Sequence, residues 1–210
     1  MRKDFALAQK KSTSKKRKIE LQAISEWVGE GDRVLDLGCG RGILLEELVN
    51  VKNVYALGVD LDFEKILRAV KRGINVMHCD IMTALKTFDD KSFDWIICSR
   101  TLTELENTKA VIDESLRVGK RVVIGFVNYG YWYNRYHLAF KGRRTVNKIF
   151  DKDWSCARPT NQISIASFKE FCNKNDININ REHFLRGNWR TECKFLPNLF
   201  AGYALFEISK

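Results

Sequence analysis

Between residues 33 and 128, five short apolar runs alternate with stretches of helical periodicity, all within about a hundred residues. That alternation constrains the chain more than any other feature. Strands separated by helices pair in parallel through right-handed crossovers, which gives an open sheet covered by helices. The runs are "RVLDL", "NVYALGVDLD" (53–62), "INVMHCD" (74–80), "SFDWIICSR" (92–100) and "KRVVIGFVN" (120–128). They are apolar on both faces, as burial between two helix layers requires.

Helical stretches fall between and before these runs. From Lys18 to Val28 the residues Ile19, Ala23 and Trp27 fit one stripe, and "GEGD" (29–32) ends that helix. "ILLEELVN" carries Ile43, Leu44 and Leu48 on one side, and "FEKILRAVKRG" stops at Gly73. Residues 103–119 read as one helix with Val111, Ile112, Leu116 and Val118 inward. Residues 129–166 form an aromatic and basic insertion, partly helical over 131–140. A short helix follows over 167–176, with Ser167 as its cap. Two alternating segments, 177–186 and 198–209, are joined without a long helix and should pair antiparallel at one sheet edge.

The 210 residues fit one domain, expected over 19–210, with the insertion at about 129–166. The net charge of +10 is uneven: residues 1–18 hold eight Lys/Arg against Asp4, a net +7, leaving +3 to the rest. This is a flexible basic leader on a near-neutral body, suited to weak electrostatic contacts; a nucleic-acid partner is not expected. No apolar run is long enough for a membrane span, and no secretory signal is present. Cysteines 39, 79, 98, 156, 172 and 193 form no CxxC pair, and His78, His137 and His183 share no metal-ligand spacing. These point to reduced thiols, a cytoplasmic location and no metal.

The first strand ends in "DLGCGRG". In an open parallel sheet ligands bind past the carboxyl ends of the strands, where strand order reverses. Gly38, Gly40 and Gly42 lie there, with Cys39 between them as a small space-filler. The spacing is GxGxG rather than the GxGxxG of dinucleotide folds. Asp36, two residues before the first glycine, would repel a pyrophosphate. A ligand bearing both an ammonium and a carboxylate fits better, and S-adenosylmethionine is one. Its ammonium can face Asp36, while its carboxylate meets the loop amides and the helix N-terminus. Asp60, ending the second strand, can accept from both ribose hydroxyls, and Asp80, ending the third, from the adenine amino group. The alternative for each acid is a helix or turn cap.

"VLDLGCGRG" resembles the first motif of class I S-adenosylmethionine-dependent methyltransferases. The motif order, through "GVDLD", "GINVMHCDI", "FDDKSFDWIICSRTL", "ESLRVGKRVVIGFVNYGYW", "FKEFC" and "LPNLFAGYALFEI", is similar to that of the MetW family of methionine biosynthesis proteins. The resemblance implies a Rossmann-like α/β fold. Its mostly parallel seven-stranded sheet would end in an antiparallel last strand, with helices on both faces. It implies a site for S-adenosyl-L-methionine or S-adenosyl-L-homocysteine at Asp36, Gly38, Cys39, Gly40, Asp60, Leu61, Asp80, Ile81 and Ser99. Arg100, Asn128, Tyr129 and Trp132 fall on the side where an acceptor would stand. The family often has an acid where Arg41 stands and proline where Val127 stands, and "DWSCARPTNQIS" departs from its pattern.

Three functions follow from these readings. One is MetW-like support of methionine synthesis together with homoserine O-acyltransferase. The second is methyl transfer to a small molecule, and the third is methyl transfer to RNA or protein. Methyl transfer needs positioning more than a base, so the want of a catalytic dyad in the motifs does not separate them.

Overall fold

The computed structural model describes residues 19–143 and 160–210. The basic leader, Cys156 and residues 144–159 of the insertion lie outside the described residues. Strands β1 (Arg33–Leu37), β2 (Tyr55–Asp60), β3 (Asn75–His78), β4 (Phe93–Ser99), β5 (Gly119–Val127), β6 (Asn178–Arg186) and β7 (Ala201–Ser209) form one sheet. Its order is β3-β2-β1-β4-β5-β7-β6. β1 to β5 run parallel, whereas β7 pairs antiparallel with both β5 and β6. The expected seven-stranded α/β sheet is thus what forms. Strand order reverses at β1, which has β2 on one side and β4 on the other.

Alternation along the central strands splits the core between two faces. Leu35, Leu37, Ile96 and Cys98 pack on one face, and Val34, Trp95 and Ile97 on the other. The first face is covered by α4 (Ile81–Lys86), α5 (Thr108–Val118) and α7 (Ile165–Lys174) through Leu85, Ile112, Leu116 and Phe168. The second is covered by α1 (19–27), α2 (Ile43–Lys52) and α3 (Phe63–Val70) through Ile24, Leu45, Leu48 and Ala69. Helix α6 (Trp132–Lys141) starts the insertion, and the short α8 (Pro197–Phe200) precedes β7. No helix of the described residues is long and apolar enough to cross a membrane.

Five local expectations change. The strand expected over 198–209 begins only at Ala201, because Pro197–Phe200 form α8. The core-facing stripe of α1 is broader than expected: Leu21 and Ile24 join Ala23 in the core, continued by Val28 beyond the helix end, while Ile19 and Trp27 are partly buried against the same cluster. The helix expected over 103–119 is divided: a 3-10 turn covers Leu102–Glu104, and α5 begins at Thr108, where the Asn107 side chain accepts from the Ala110 amide at 3.2 Å. Helix α7 starts two residues before Ser167. Ser164 is its cap, and Ser167 returns the bond in a capping box. Helix α4, too short to show a period, follows directly after Asp80.

Candidate functional site

The glycine bend after β1 is built by three left-handed residues at alternate positions, Gly38 (φ 79°), Gly40 (φ 58°) and Gly42 (φ 69°). At two of them a side chain is also excluded by space. A Cβ on Gly38 would lie 2.2 Å from Thr101 Oγ1, and one on Gly42 would lie 2.9 Å from the Cβ of Ala69. Gly42 therefore serves the close approach of α3 to the bend, and Gly38 brings the segment after β4 against it.

The bend opens into a cavity of about 820 Å³ across the carboxyl ends of the first four strands, within the ~300–1,000 Å³ usual for small-molecule sites. Gly38 and Gly40 line it from β1, and Asp60 and Leu61 from β2. Asp80 and Ile81 line it beyond β3, and Ser99 and Arg100 at the end of β4. Five carboxylates (Asp60, Asp62, Glu64, Asp80, Glu104) and four cations (Arg41, Lys65, Arg68, Arg100) share the wall. A wall of both signs suits a ligand of both signs rather than a polyphosphate.

Asp60 is held from two sides. Its Oδ2 accepts from the Gly40 amide and its Oδ1 from the Asp62 amide, both at 2.8 Å. A carboxylate offers about four acceptor positions, so each oxygen keeps one open. Asp80 caps α4, its Oδ1 accepting from Met82 (2.8 Å) and Thr83 (3.4 Å). The cap reading of Asp80 therefore holds locally, and Oδ2 remains available at the cavity.

The loop amides differ from expectation. Those of Gly38 and Cys39 donate to Val59 O at 2.8 and 3.0 Å, Gly40 donates to Asp60, and Gly42 donates to Cys39 O at 3.1 Å. These four donors are committed within the protein and are not set out for a ligand carboxylate.

Asp36 and Cys39 are buried behind the bend rather than on the cavity wall. Burial, with Asp36 and Asp60 nearby, pushes the Cys39 thiol up to about 12. It is protonated at neutral pH and unsuited to nucleophilic work; its sulfur fills space, lying 2.5 Å from where a Cβ on Gly58 would be.

Asn128, Tyr129 and Trp132 are outside the lining. Asn128 is fully buried and spends its amide on main chain: Nδ2 donates to Ala201 O (2.8 Å) and Asn198 O (3.1 Å), and Oδ1 accepts from Gly130 (3.0 Å) and Ile165 (3.2 Å). The Tyr129 amide donates to Ile163 O at 2.9 Å. Trp132 is exposed on α6 and packs edge-on against Tyr133.

Sequence reasoning missed the group behind Ser99 and Arg100. Glu20 of α1, only 2% exposed, accepts through Oε1 from Ser99 Oγ and from the Tyr203 hydroxyl (2.6 Å), and through Oε2 from Arg100 Nη2. The Arg100 guanidinium lies over the Trp189 ring at 4.7 Å and the Tyr203 ring at 5.6 Å. Burial, then the Glu20 charge, raises the Tyr203 phenol well above its ordinary range, so it is a donor and not a base at neutral pH. The available signal was an acid four residues before Ile24 on a stripe otherwise apolar through Val28.

A family model described as "Methionine biosynthesis protein MetW" matches residues 18–208. The bifunctional methionine biosynthesis protein MetXA/MetW of Rhodopirellula baltica is 31% identical over 203 residues, which cover 91% of this chain and 33% of that one. The chain thus spans about a third of the length of that relative. Among solved structures, a SAM-dependent methyltransferase from Archaeoglobus fulgidus superposes with a TM-score of 0.63 at 19% identity, covering 92% of each chain. The magnesium protoporphyrin IX methyltransferase ChlM from Synechocystis, with SAH bound, reaches 0.67 at 16% identity, over 94% of this chain and 85% of its own. At such identities the likeness concerns the fold, which is that of class I S-adenosylmethionine-dependent methyltransferases. Its motifs, its strand order and a family match over nearly its whole length agree: the chain belongs to the MetW family.

Proposed function

We propose that the cavity binds S-adenosylmethionine or S-adenosylhomocysteine, and that the chain supports methionine biosynthesis by acting with homoserine O-acyltransferase. The observation that carries the ligand is the meeting of Asp60, Asp80 and the glycine bend at one cavity, with acceptor positions still open on both carboxylates. Asp60 would hold the ribose hydroxyls. Asp80 would accept from the adenine amino group, and Leu61 and Ile81 offer apolar faces to the base. When bound, S-adenosylmethionine supplies an activated methyl group. The chain's own residues orient the ligand, and Glu20 keeps Ser99 and Arg100 in place beside it.

The partner is supported by the relative in which a MetW part and a MetXA part share one polypeptide. Methyl transfer to a small molecule is the second reading, favoured by the fold and by polar side chains at the end of β4. Affinity capture of the full chain from its native host, with labelled S-adenosylmethionine added to the extract, separates the two. The expected result is co-purification of homoserine O-acyltransferase without label transfer. Label appearing on an extract component, with the acyltransferase absent, would overturn the reading in favour of an active methyltransferase.

A further inference from the structure

With four amides of the glycine bend committed within the protein, a side-chain cation beside the bend would add the charged partner that a ligand carboxylate favours. We infer that Arg100 is that partner: a specificity residue that binds the carboxylate of the amino-acid half of the ligand. This rests on the proposed nucleoside site and deepens it.

Position comes first. Arg100 follows β4, the neighbour of β1, and a Cβ on Gly38 would strike Thr101, so residues 99–101 sit directly against the bend. That is the end of the cavity opposite Asp80. The other cations are placed differently. Lys65 and Arg68 belong to α3, on the Asp60 side; the Lys65 stem reaches Gly40, its Cδ 3.9 Å from where a Cβ there would be, but its ammonium pairs with Asp62 at 3.2 Å. Arg41 is exposed on the bend, so it would lose most of its rotamer freedom on binding.

Preorganisation comes second. Arg100 adopts φ 65°, a conformation that costs a non-glycine residue energy, and its amide donates to Gly125 O at 2.8 Å. The guanidinium is clamped between Glu20 and the Trp189 face. Nη2 is spent on Glu20, Tyr203 also interacts with the guanidinium, and Nε is buried, so the donor left for the cavity is Nη1, which has no partner among the described residues and is not buried. A guanidinium has five N–H donors, so this one is fixed in place yet under-satisfied. A fixed, partly desolvated fork binds carboxylates through strong charge-assisted hydrogen bonds. Its side chain is one-third exposed, at 33%, and lines the cavity. Glu20 is then a positioning residue whose charge keeps the cation in a largely buried place.

The test compares two ligands that differ at the amino-acid end: S-adenosylhomocysteine, and 5′-methylthioadenosine, which has no carboxylate. Calorimetry on the full chain should show wild type binding S-adenosylhomocysteine at least about 10-fold more tightly. Arg100→Ala should weaken that ligand about 10- to 100-fold and shift 5′-methylthioadenosine by less than about 2-fold. The double variant Glu20→Gln/Arg100→Ala, which leaves no unpaired buried carboxylate, should show the same selective loss if folding of the single variant suffers. Unchanged S-adenosylhomocysteine affinity, or equal losses for both ligands, would overturn the role of Arg100 while leaving the nucleoside site standing. Wild type binding neither ligand would overturn both.

Discussion

Replacing Asn128 with alanine is expected to lower the melting temperature by about 10 °C. The buried amide closes four main-chain bonds that tie the end of β5 to Gly130, to the first turn of α7 and to the α8–β7 junction. Alanine would leave the Ile165 amide and the Ala201 carbonyl without their partner. Each such group costs about 1–3 kcal/mol, so the sum is about 3–4 kcal/mol. For a chain of this size 1 kcal/mol moves the melting temperature by about 2–4 °C. A calorimetric scan checks it, and a drop under about 3 °C would show that water replaces the amide at little cost.

Gly38→Ala is expected to have the larger effect on ligand binding. The new Cβ would overlap the Thr101 hydroxyl and methyl, at 2.2 and 2.8 Å, on a residue already at φ 79°. Steric overlap and left-handed strain together should cost about 2–4 kcal/mol of stability. The bend must shift against Thr101, which moves Gly40 and the Asp60 carboxylate bonded to it. Affinity for S-adenosylhomocysteine should fall by at least about 100-fold, roughly 2.8 kcal/mol. Thr101→Ala in the same chain should recover part of the stability, since it removes the two atoms in closest conflict but not the backbone strain. Urea unfolding of the single and double variants measures this. No recovery would place the whole cost in the backbone.

Much of the architecture could be read from residue order because local signals agreed with the global fold. Apolar runs closed by Asp60 and Ser99, the bend at 38–42 and the alternation read over 198–209, of which 201–209 forms β7, each carry their own signature. Elements that failed to show depend on contacts rather than on period. Helix α4 has six residues, fewer than two turns, and is declared only by the Asp80 cap. The start of α7 was misplaced because Ser164 and Ser167 both suit a cap, and only the reciprocal bond decides between them.

At the site, the residues that end strands were legible because strand ends converge by topology. Glu20 was not, since a lone acid on a helix reads as solvent-facing even beside an apolar stripe, whereas the packed helix buries it. Nor could spacing reveal that the Gly38 and Cys39 amides both turn to Val59 O, a bond between two strand ends. Asn128 illustrates the reverse error: a polar residue past a strand end reads as a ligand contact, yet packing uses it to join three segments.

One adenosyl amino acid, S-adenosylmethionine or its demethylated product S-adenosylhomocysteine, is expected to occupy the cleft at the ends of β1 to β4. Isothermal titration of the folded, full chain with S-adenosylhomocysteine measures this directly. It should saturate at one equivalent, and Asp60→Ala should abolish the heat. Folded wild-type protein that gives no heat with this ligand or with S-adenosylmethionine, and no rise in melting temperature at millimolar excess, would contradict it.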